Sequence, residues 1–217
     1  MVTGPQNKPL KVTSDSTTLR SRFGRVLVIV VWAILVAFLV SLIVELNPNS
    51  LLRDTPLILL GGFGVWLLMW SPSVTIAPSG VTVRNLLRTN DISWPAIQTI
   101  DTRFALTLQT PAGKIVAWSA PAPSRFAALR ATRTELADLP ESSFAMGGIR
   151  PGDIPQTDSG LAALYVRRYW EQLRDAGYLD SGVVEGTGVV TRWLRRETAT
   201  LIGLVVVSAL VLALVPA

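Results

Sequence analysis

The uncharged apolar run at residues 26–44 is the feature that most constrains how this chain folds. A hydrocarbon core of roughly 30 Å is crossed by roughly 20 apolar residues in a helix, and this run approaches that length. Basic residues precede it, as in a signal peptide. It is longer than the roughly 7–15 residues of a signal-peptide core, however, and no small-residue cleavage site follows. The run therefore predicts an uncleaved transmembrane helix over 26–44.

Two further apolar blocks lie at residues 55–70 and 198–217. The block at 55–70 is short and contains Gly61, Gly62 and Gly64, so a re-entrant or buried core helix is the alternative to a spanning one. Spanning is favoured, because snorkelling flanks or a thinned bilayer accommodate a short hydrophobic stretch. The block at 198–217 has no charge and predicts a third spanning helix.

The basic residues near these runs predict how the chain is oriented. Residues 1–25 hold five Lys and Arg side chains, the loop after the first run holds only Arg53, and several arginines precede the third run. The positive-inside rule then places the N-terminus and the polar middle of the chain in the cytoplasm and the C-terminus outside. We expect a multi-pass protein of the bacterial inner membrane, with a disordered basic segment over 1–25.

Short segments that alternate apolar and polar residues follow the second run, a pattern typical of half-buried strands. The turn sequences Pro78-Ser79-Gly80 and Pro111-Ala112-Gly113 separate several of them. A helix over 125–138 follows Ser124, a helix-capping residue, and is predicted to cover the sheet. The predicted strands lie at 74–77, 81–86, 91–94, 98–104, 105–109 and 114–118.

Three of these elements carry a family resemblance. The segment GVTVRN, the step Trp94-Pro95-x-Ile97 and the hairpin LTLQTPAGKIVAW together resemble the bacterial pleckstrin-homology (PH-like) domain of small actinobacterial membrane proteins. The resemblance implies a membrane α-helical plus α+β fold with three transmembrane helices. The helices carry a cytoplasmic PH-like domain over 71–138, which is a small β-barrel or sheet capped by a C-terminal helix. It says little about activity, because a fold does not specify a function.

The chain beyond 138 is predicted to contain a linker and one more helix before the last span. Residues 139–160 are rich in Pro, Gly and Ser without periodicity, which predicts a long mobile linker. Residues 161–180 form an amphipathic helix on which Tyr165, Tyr169 and Trp170 lie near the apolar face, while Arg167 faces elsewhere. This helix either docks on the PH-like domain, lies on the membrane surface, or is presented to a partner.

The residue types argue against catalysis. The sequence has no His and no Cys, so it lacks an imidazole base, a thiolate and the usual zinc ligands. Its carboxylates are scattered and form no recognisable motif. We therefore expect no enzyme activity, no catalytic residues, no metal and no cofactor. The basic residues cluster at the membrane flanks rather than on one soluble face, which also argues against a nucleic-acid partner.

The remaining hypotheses concern binding. Arg84 and Arg88 are candidate contacts for anionic lipid, although a solvated strand face near the membrane explains them better. The glycines at 61, 62 and 64 would let a partner helix approach closely. These three glycines, together with Tyr165, Tyr169 and Trp170, are the candidate interface for a protein partner. The sequence thus predicts a non-catalytic scaffold or accessory protein of a larger membrane complex, with an actinobacterial respiratory supercomplex as a candidate host. The alternative is a module that senses anionic lipid at the membrane surface.

Overall fold

The computed structural model of this protein describes residues 16–45, 47–123, 151–179 and 188–215. Its first apolar helix, α1 (Arg22–Val44), follows a short strand, β1 (Thr17–Leu19). The helix starts before the apolar run because Ser21 caps it, its hydroxyl accepting a hydrogen bond from the backbone N–H of Gly24 at 3.3 Å. The segment predicted to be disordered was 1–25. Its described part, residues 16–25, contains strand β1 and the first residues of α1.

The second apolar helix is longer than the predicted 55–70 block. Helix α2 (Pro48–Val65) begins at its Asn47 cap and continues without a break into a π-helical turn, Trp66–Trp70. The 23 residues from Pro48 to Trp70 extend roughly 35 Å at about 1.5 Å per residue. The helix is thus long and apolar enough to cross a bilayer, despite its polar first turns.

Six strands follow, and each overlaps one of the six predicted strands. Alternation places Val74, Ile76, Val81 and Val83 in the core while their neighbours point away from it. Pairing is antiparallel throughout. The strands are β2 (Ser73–Ala77), β3 (Gly80–Arg84), β4 (Arg88–Ile92), β5 (Thr99–Asp101), β6 (Ala105–Thr110) and β7 (Gly113–Pro121).

The part of the predicted linker that the structure describes is built into the domain. A 3₁₀ turn at Pro151–Asp153 leads into helix α3 (Asp158–Asp175), which starts earlier than the predicted position 161. A Cβ atom on Gly152 would lie 1.9 Å from the carbonyl oxygen of Thr102, so only glycine permits this close approach. The predicted capping helix at 125–138 lies outside the described residues.

The last two elements are a strand and the third apolar helix. Strand β8 (Val189–Trp193) was not among the predicted strands, and helix α4 (Arg195–Leu214) follows it after a single residue. Strand β8 adds to β4, which gives a five-stranded sheet in the order β1-β2-β3-β4-β8. The second sheet has three strands in the order β5-β6-β7.

One hydrophobic core joins the two sheets and α3. Trp94 is 3% exposed, and its ring stacks on that of Tyr169 in α3 with centroids 4.5 Å apart. The small residues Ala162 and Ala163 are fully buried, which lets α3 approach the strands closely. Docking on the domain, one of the three positions predicted for this amphipathic helix, is the arrangement that the structure shows.

The three apolar helices pack with α2 between α1 and α4. The indole N–H of Trp32 in α1 donates to the carbonyl oxygen of Gly62 in α2 at 3.0 Å. Where α1 meets the π-helical turn, a Cβ atom on Gly24 would lie 2.7 Å from the carbonyl oxygen of Met69. The two backbones therefore come into close contact beside the sheet, and Gly24 makes that approach possible.

A buried ion pair fastens α3 to the second sheet. Arg167 donates to the carboxylate of Asp153 at 2.6 Å, and the hydroxyl of Thr102 donates to the same carboxylate at 2.7 Å. The two charged residues are 4% and 2% exposed. Arg167, predicted to face away from the domain, thus lies inside it, because Asp153 supplies the opposite charge that burial of a guanidinium requires.

We expect Asp153→Ala to lower the free energy of unfolding by about 3–5 kcal/mol, because it leaves a guanidinium buried without its counter-charge. Arg174→Ala is the matched control, since its ion pair with Asp175 is exposed and such pairs contribute about 0–1 kcal/mol. Thermal and denaturant unfolding of the detergent-solubilised protein measures both changes. Equal losses in the two variants would contradict a structural role for the buried pair.

We expect Gly24→Ala to destabilise the packing of α1 on the π-helical turn by about 1–3 kcal/mol, because the added methyl group collides with a backbone carbonyl. The same change at Gly203 in α4 meets no atom within 4 Å and raises helix propensity. The shift in unfolding temperature should therefore be negative for Gly24→Ala and zero or positive for Gly203→Ala.

Candidate functional site at the helix-bearing end of the sheet

The five-stranded sheet carries all three apolar helices at one end. In the antiparallel register, Leu19 lies opposite Val74, Ser73 opposite Arg84, and Arg88 opposite Trp193. The end of β1, the start of β2 and the end of β8 consequently lie at the same end of the sheet, and each joins a helix through one or two residues. We call this edge, together with the β3–β4 turn at 85–87, the helix-bearing end.

Arg84, the last residue of β3, binds the root of α4. Its guanidinium donates to the Glu197 carboxylate at 2.8 Å, and both side chains are partly buried, at 31% and 21% exposure. Glu197 stands in the first turn of α4, where a negative charge also interacts favourably with the helix dipole. An acidic residue at that position was the available sequence signal for this contact, which sequence reasoning missed.

Arg88 is held by the adjacent aromatic residue. Its guanidinium carbon lies 4.0 Å from the ring centroid of Trp193, within the range of a cation–π interaction. Next to it, the backbone N–H of Leu194 donates to the carbonyl oxygen of Leu87 at 2.9 Å. The two arginines predicted as lipid contacts therefore lie at the helix-bearing end, but each contacts the junction of β8 and α4.

Asn85, between those two arginines, connects the two sheets. Its amide nitrogen donates to the carbonyl oxygen of Val116 at 2.8 Å, and its amide oxygen accepts from the backbone N–H of Trp118 at 3.0 Å. Both partners belong to β7. No local sequence pattern indicated this role, because the bonds join residues more than thirty positions apart.

Polar contacts across β3, β4 and β8 hold the last strand in place. The carboxylate of Asp91 accepts hydrogen bonds from Thr82, at 2.7 Å, and from Arg192, with which it also forms an ion pair. The hydroxyl of Thr191 pairs with the side-chain oxygen of Asn90 at 2.8 Å. Strand β8 therefore joins the sheet through polar side-chain pairs as well as through its backbone.

The three glycines predicted for a partner interface differ in their surroundings. Gly62 packs against α1, where an added Cβ would lie 3.4 Å from Leu35 and 3.7 Å from the indole nitrogen of Trp32. Around Gly61 and Gly64 an added Cβ would meet nothing within 4 Å. Only Gly61 and Gly64 thus present open helix surface.

The three aromatic residues of that predicted interface lie on α3, whereas the glycines lie on α2. Tyr165, Tyr169 and Trp170 are partly buried and pack against the core of the domain. Tyr169 is further fixed by its stacking on Trp94. The structure thus places these rings against their own domain and does not bring them together with the glycines of α2.

The arrangement supports binding and positioning. Among the described residues, no three His, Cys, Asp or Glu side chains gather closely enough to hold a metal ion. Arg84 pairs with Glu197, and Arg88 lies over the ring of Trp193. Their chemistry is that of fixing helices to a sheet.

Comparison with known proteins assigns the middle of the chain. Residues 71–159 match the family model described as bacterial PH domain, while no curated protein and no solved structure matches. The match covers β2 to β7 and reaches the first residues of α3, beyond the predicted boundary at 138. Strands β1 and β8 and all three apolar helices lie outside it. Such a domain indicates a non-catalytic interaction module.

We expect a double-mutant cycle of Arg84→Gln and Glu197→Gln to give a coupling of about 1 kcal/mol, because the pair is partly buried and lies at a helix N-terminus. Arg53→Gln, at the opposite ends of the helices, is the control and should leave stability within about 0.5 kcal/mol. The unfolding free energy in detergent measures each corner of the cycle. Strict additivity of the two single changes would show that the contact does not hold α4.

Proposed function

We propose that this protein is a non-catalytic, membrane-anchored scaffold or accessory protein that presents a PH-like domain for protein–protein interaction within a larger membrane complex. The observation that carries the proposal is the direct connection of three strands of one sheet to three apolar helices. A domain connected in this way has a fixed orientation at the bilayer surface. That suits a subunit that must present one face to a neighbour.

The surfaces of the helices support membrane insertion. The helices comprise 23, 23 and 20 residues and are long and apolar enough to cross a bilayer. Large apolar side chains such as Phe38, Leu59 and Leu210 are half-exposed or more. Contiguous apolar surface of this extent requires lipid or another protein as its surroundings.

The distribution of arginine supports a cytoplasmic domain. Arg20, Arg22 and Arg25 at α1 and Arg195 and Arg196 at α4 all lie toward the helix-bearing end. At the opposite ends of the helices, Arg53 is the one described basic residue, and Asp54 follows it. By the positive-inside rule the sheet then faces the cytoplasm of a bacterial inner membrane, with the C-terminus outside.

The open glycines on α2 support a membrane-embedded partner. Small residues let two helix backbones approach closely, and the surface over Gly61 and Gly64 is unoccupied by the described residues. A respiratory supercomplex in an actinobacterial host remains a candidate for the larger assembly. The alternative function, lipid sensing through Arg84 and Arg88, has less support, because both side chains have partners within the chain.

We expect the tagged full-length protein, extracted in a mild detergent, to migrate on native gels with a stoichiometric membrane partner. Gly61→Leu combined with Gly64→Leu should reduce recovery of that partner roughly tenfold, which corresponds to a loss of about 1.4 kcal/mol in binding. Gly203→Leu is the control, since it adds one leucine side chain to open surface on α4. Haem absorbance in the purified complex would identify a respiratory partner.

Two outcomes would contradict this proposal. The first is a protein that migrates alone under conditions that preserve other membrane complexes. The second is a partner whose recovery is unaffected by Leu at 61 and 64, which would remove the α2 surface from the interface.

A further inference from the structure

Strand β8 forms one edge of the five-stranded sheet, where β4 is its only neighbour among the described strands. Its sequence, VVTRW, consists mainly of β-branched and aromatic residues, which favour strands, and contains no proline. Val190 and Trp193 are 57% and 55% exposed. An edge strand with these properties is a template to which a further strand can add.

Two hydrogen bonds fix which backbone groups of β8 face β4. The N–H of Leu194 donates to the carbonyl oxygen of Leu87 at 2.9 Å. The N–H of Ser93 donates to the carbonyl oxygen of Gly188, also at 2.9 Å. In an antiparallel ladder, residues that bond to one neighbour alternate with residues whose N–H and C=O groups point to the other side. Every second residue from Gly188 to Leu194 therefore bonds to β4.

Thr191 and Trp193 lie between those residues, so their N–H and C=O groups point away from β4. None of the described residues bonds to these backbone groups. Val189, at the start of β8, has further contacts within the chain and is not included. The two side chains also leave the edge open, because the Thr191 hydroxyl pairs with Asn90 and the Trp193 ring contacts Arg88, both on β4. We call the backbone of Thr191 and Trp193 the free edge.

Charge selects the strand that fits the free edge. Arg192 is the one charged residue of β8, and its side chain is 71% exposed although it pairs with Asp91. A guanidinium presents five N–H donors, so it can bind a second carboxylate as well. A second copy of this chain would instead place two such arginines near each other, and like charges on adjacent strands repel. The free edge therefore suits a strand with an acidic side chain rather than a second copy.

We infer that the free edge accepts an extended segment of a neighbouring membrane protein, with an acidic side chain beside Arg192. Backbone hydrogen bonds to Thr191 and Trp193 hold the segment, and its side chains supply specificity. Leu194 alone separates β8 from α4, so the added segment lies close to the start of an apolar helix. Strand β8 is outside the matched residues 71–159. The inference rests on the proposed function, because it names the chemistry by which the scaffold holds its partner.

Cross-linking in the native host cells identifies the occupant of the free edge. The full-length protein carries a benzophenone amino acid at position 190, which is exposed beside that edge, and mass spectrometry identifies the linked peptide. We expect a strand-forming peptide of another membrane protein that contains an acidic residue. A benzophenone at position 104, which is 78% exposed between β5 and β6 of the other sheet, is the control and should not link to that peptide.

Proline variants test whether the backbone makes the contact. Thr191→Pro removes an outward N–H and keeps the bonds between β8 and β4, so the unfolding temperature should change little while the cross-linked yield falls roughly tenfold. Arg192→Pro is the matched control, because it removes an N–H that faces β4 and should lower the unfolding temperature. Equal losses of stability would show that the Thr191 N–H is bonded within the chain and would overturn the inference. An unchanged yield in Thr191→Pro would do the same.

Two substitutions at Arg192 test the charge. Arg192→Gln should lower the cross-linked yield several-fold, whereas Arg192→Lys keeps the positive charge and should retain most of it. Equal yields from the two variants would overturn the assignment of an acidic segment.

The remaining outcomes also decide the matter. A linked peptide from a second copy or from the same chain would overturn the inference, as would the absence of any link. A stoichiometric partner on native gels without a link at position 190 overturns this inference alone and leaves the proposed function standing. A protein that migrates alone and forms no link contradicts both.

Discussion

The antiparallel register of the five-stranded sheet is the constraint on which the rest of this structure depends. Leu19, Ser73 and Trp193 lie at the same end of the sheet because β1 and β8 run antiparallel to their neighbours β2 and β4. Each of these residues is within three positions of a helix. The hydrogen bonds that align the strands therefore also set the spacing of the helices. A register shift of one residue in any strand would turn the apolar side chains of that strand away from the core.

The second sheet is joined to this frame by different means. No described strand of one sheet pairs through its backbone with a strand of the other. Asn85 provides hydrogen bonds across the junction, the shared core provides hydrophobic contact, and the pair Asp153–Arg167 fixes α3 over β5. The bacterial PH domain match thus describes a unit whose first sheet is extended on both sides by strands that lead directly to apolar helices.

Local patterns in the sequence predicted the elements whose stability is mainly local. Alternation located the six central strands, and hydropathy located the three helices. Strand β1 has three residues and strand β8 is largely exposed. Neither was predicted, because each forms only by pairing with a strand that is distant in sequence.

Residues 151–160 have the composition of a linker, yet their glycines permit close backbone packing. Arg167 looked like a surface residue because its counter-charge, Asp153, lies in that same stretch. Within the site, Arg84 and Arg88 could be selected from sequence, whereas the roles of Glu197 and Asn85 depend on long-range contacts.

The extension of the first sheet has a consequence for aggregation. An exposed edge strand is a template onto which another chain can add a strand. Strand β1 is very short, β8 carries Arg192, and each is followed almost at once by a helix. On β7, the backbone groups of Val116 and Trp118 are already bound by Asn85. Copies of this protein crowded in one plane would therefore find little free backbone at β1 and beside Asn85 on β7 through which their sheets could join.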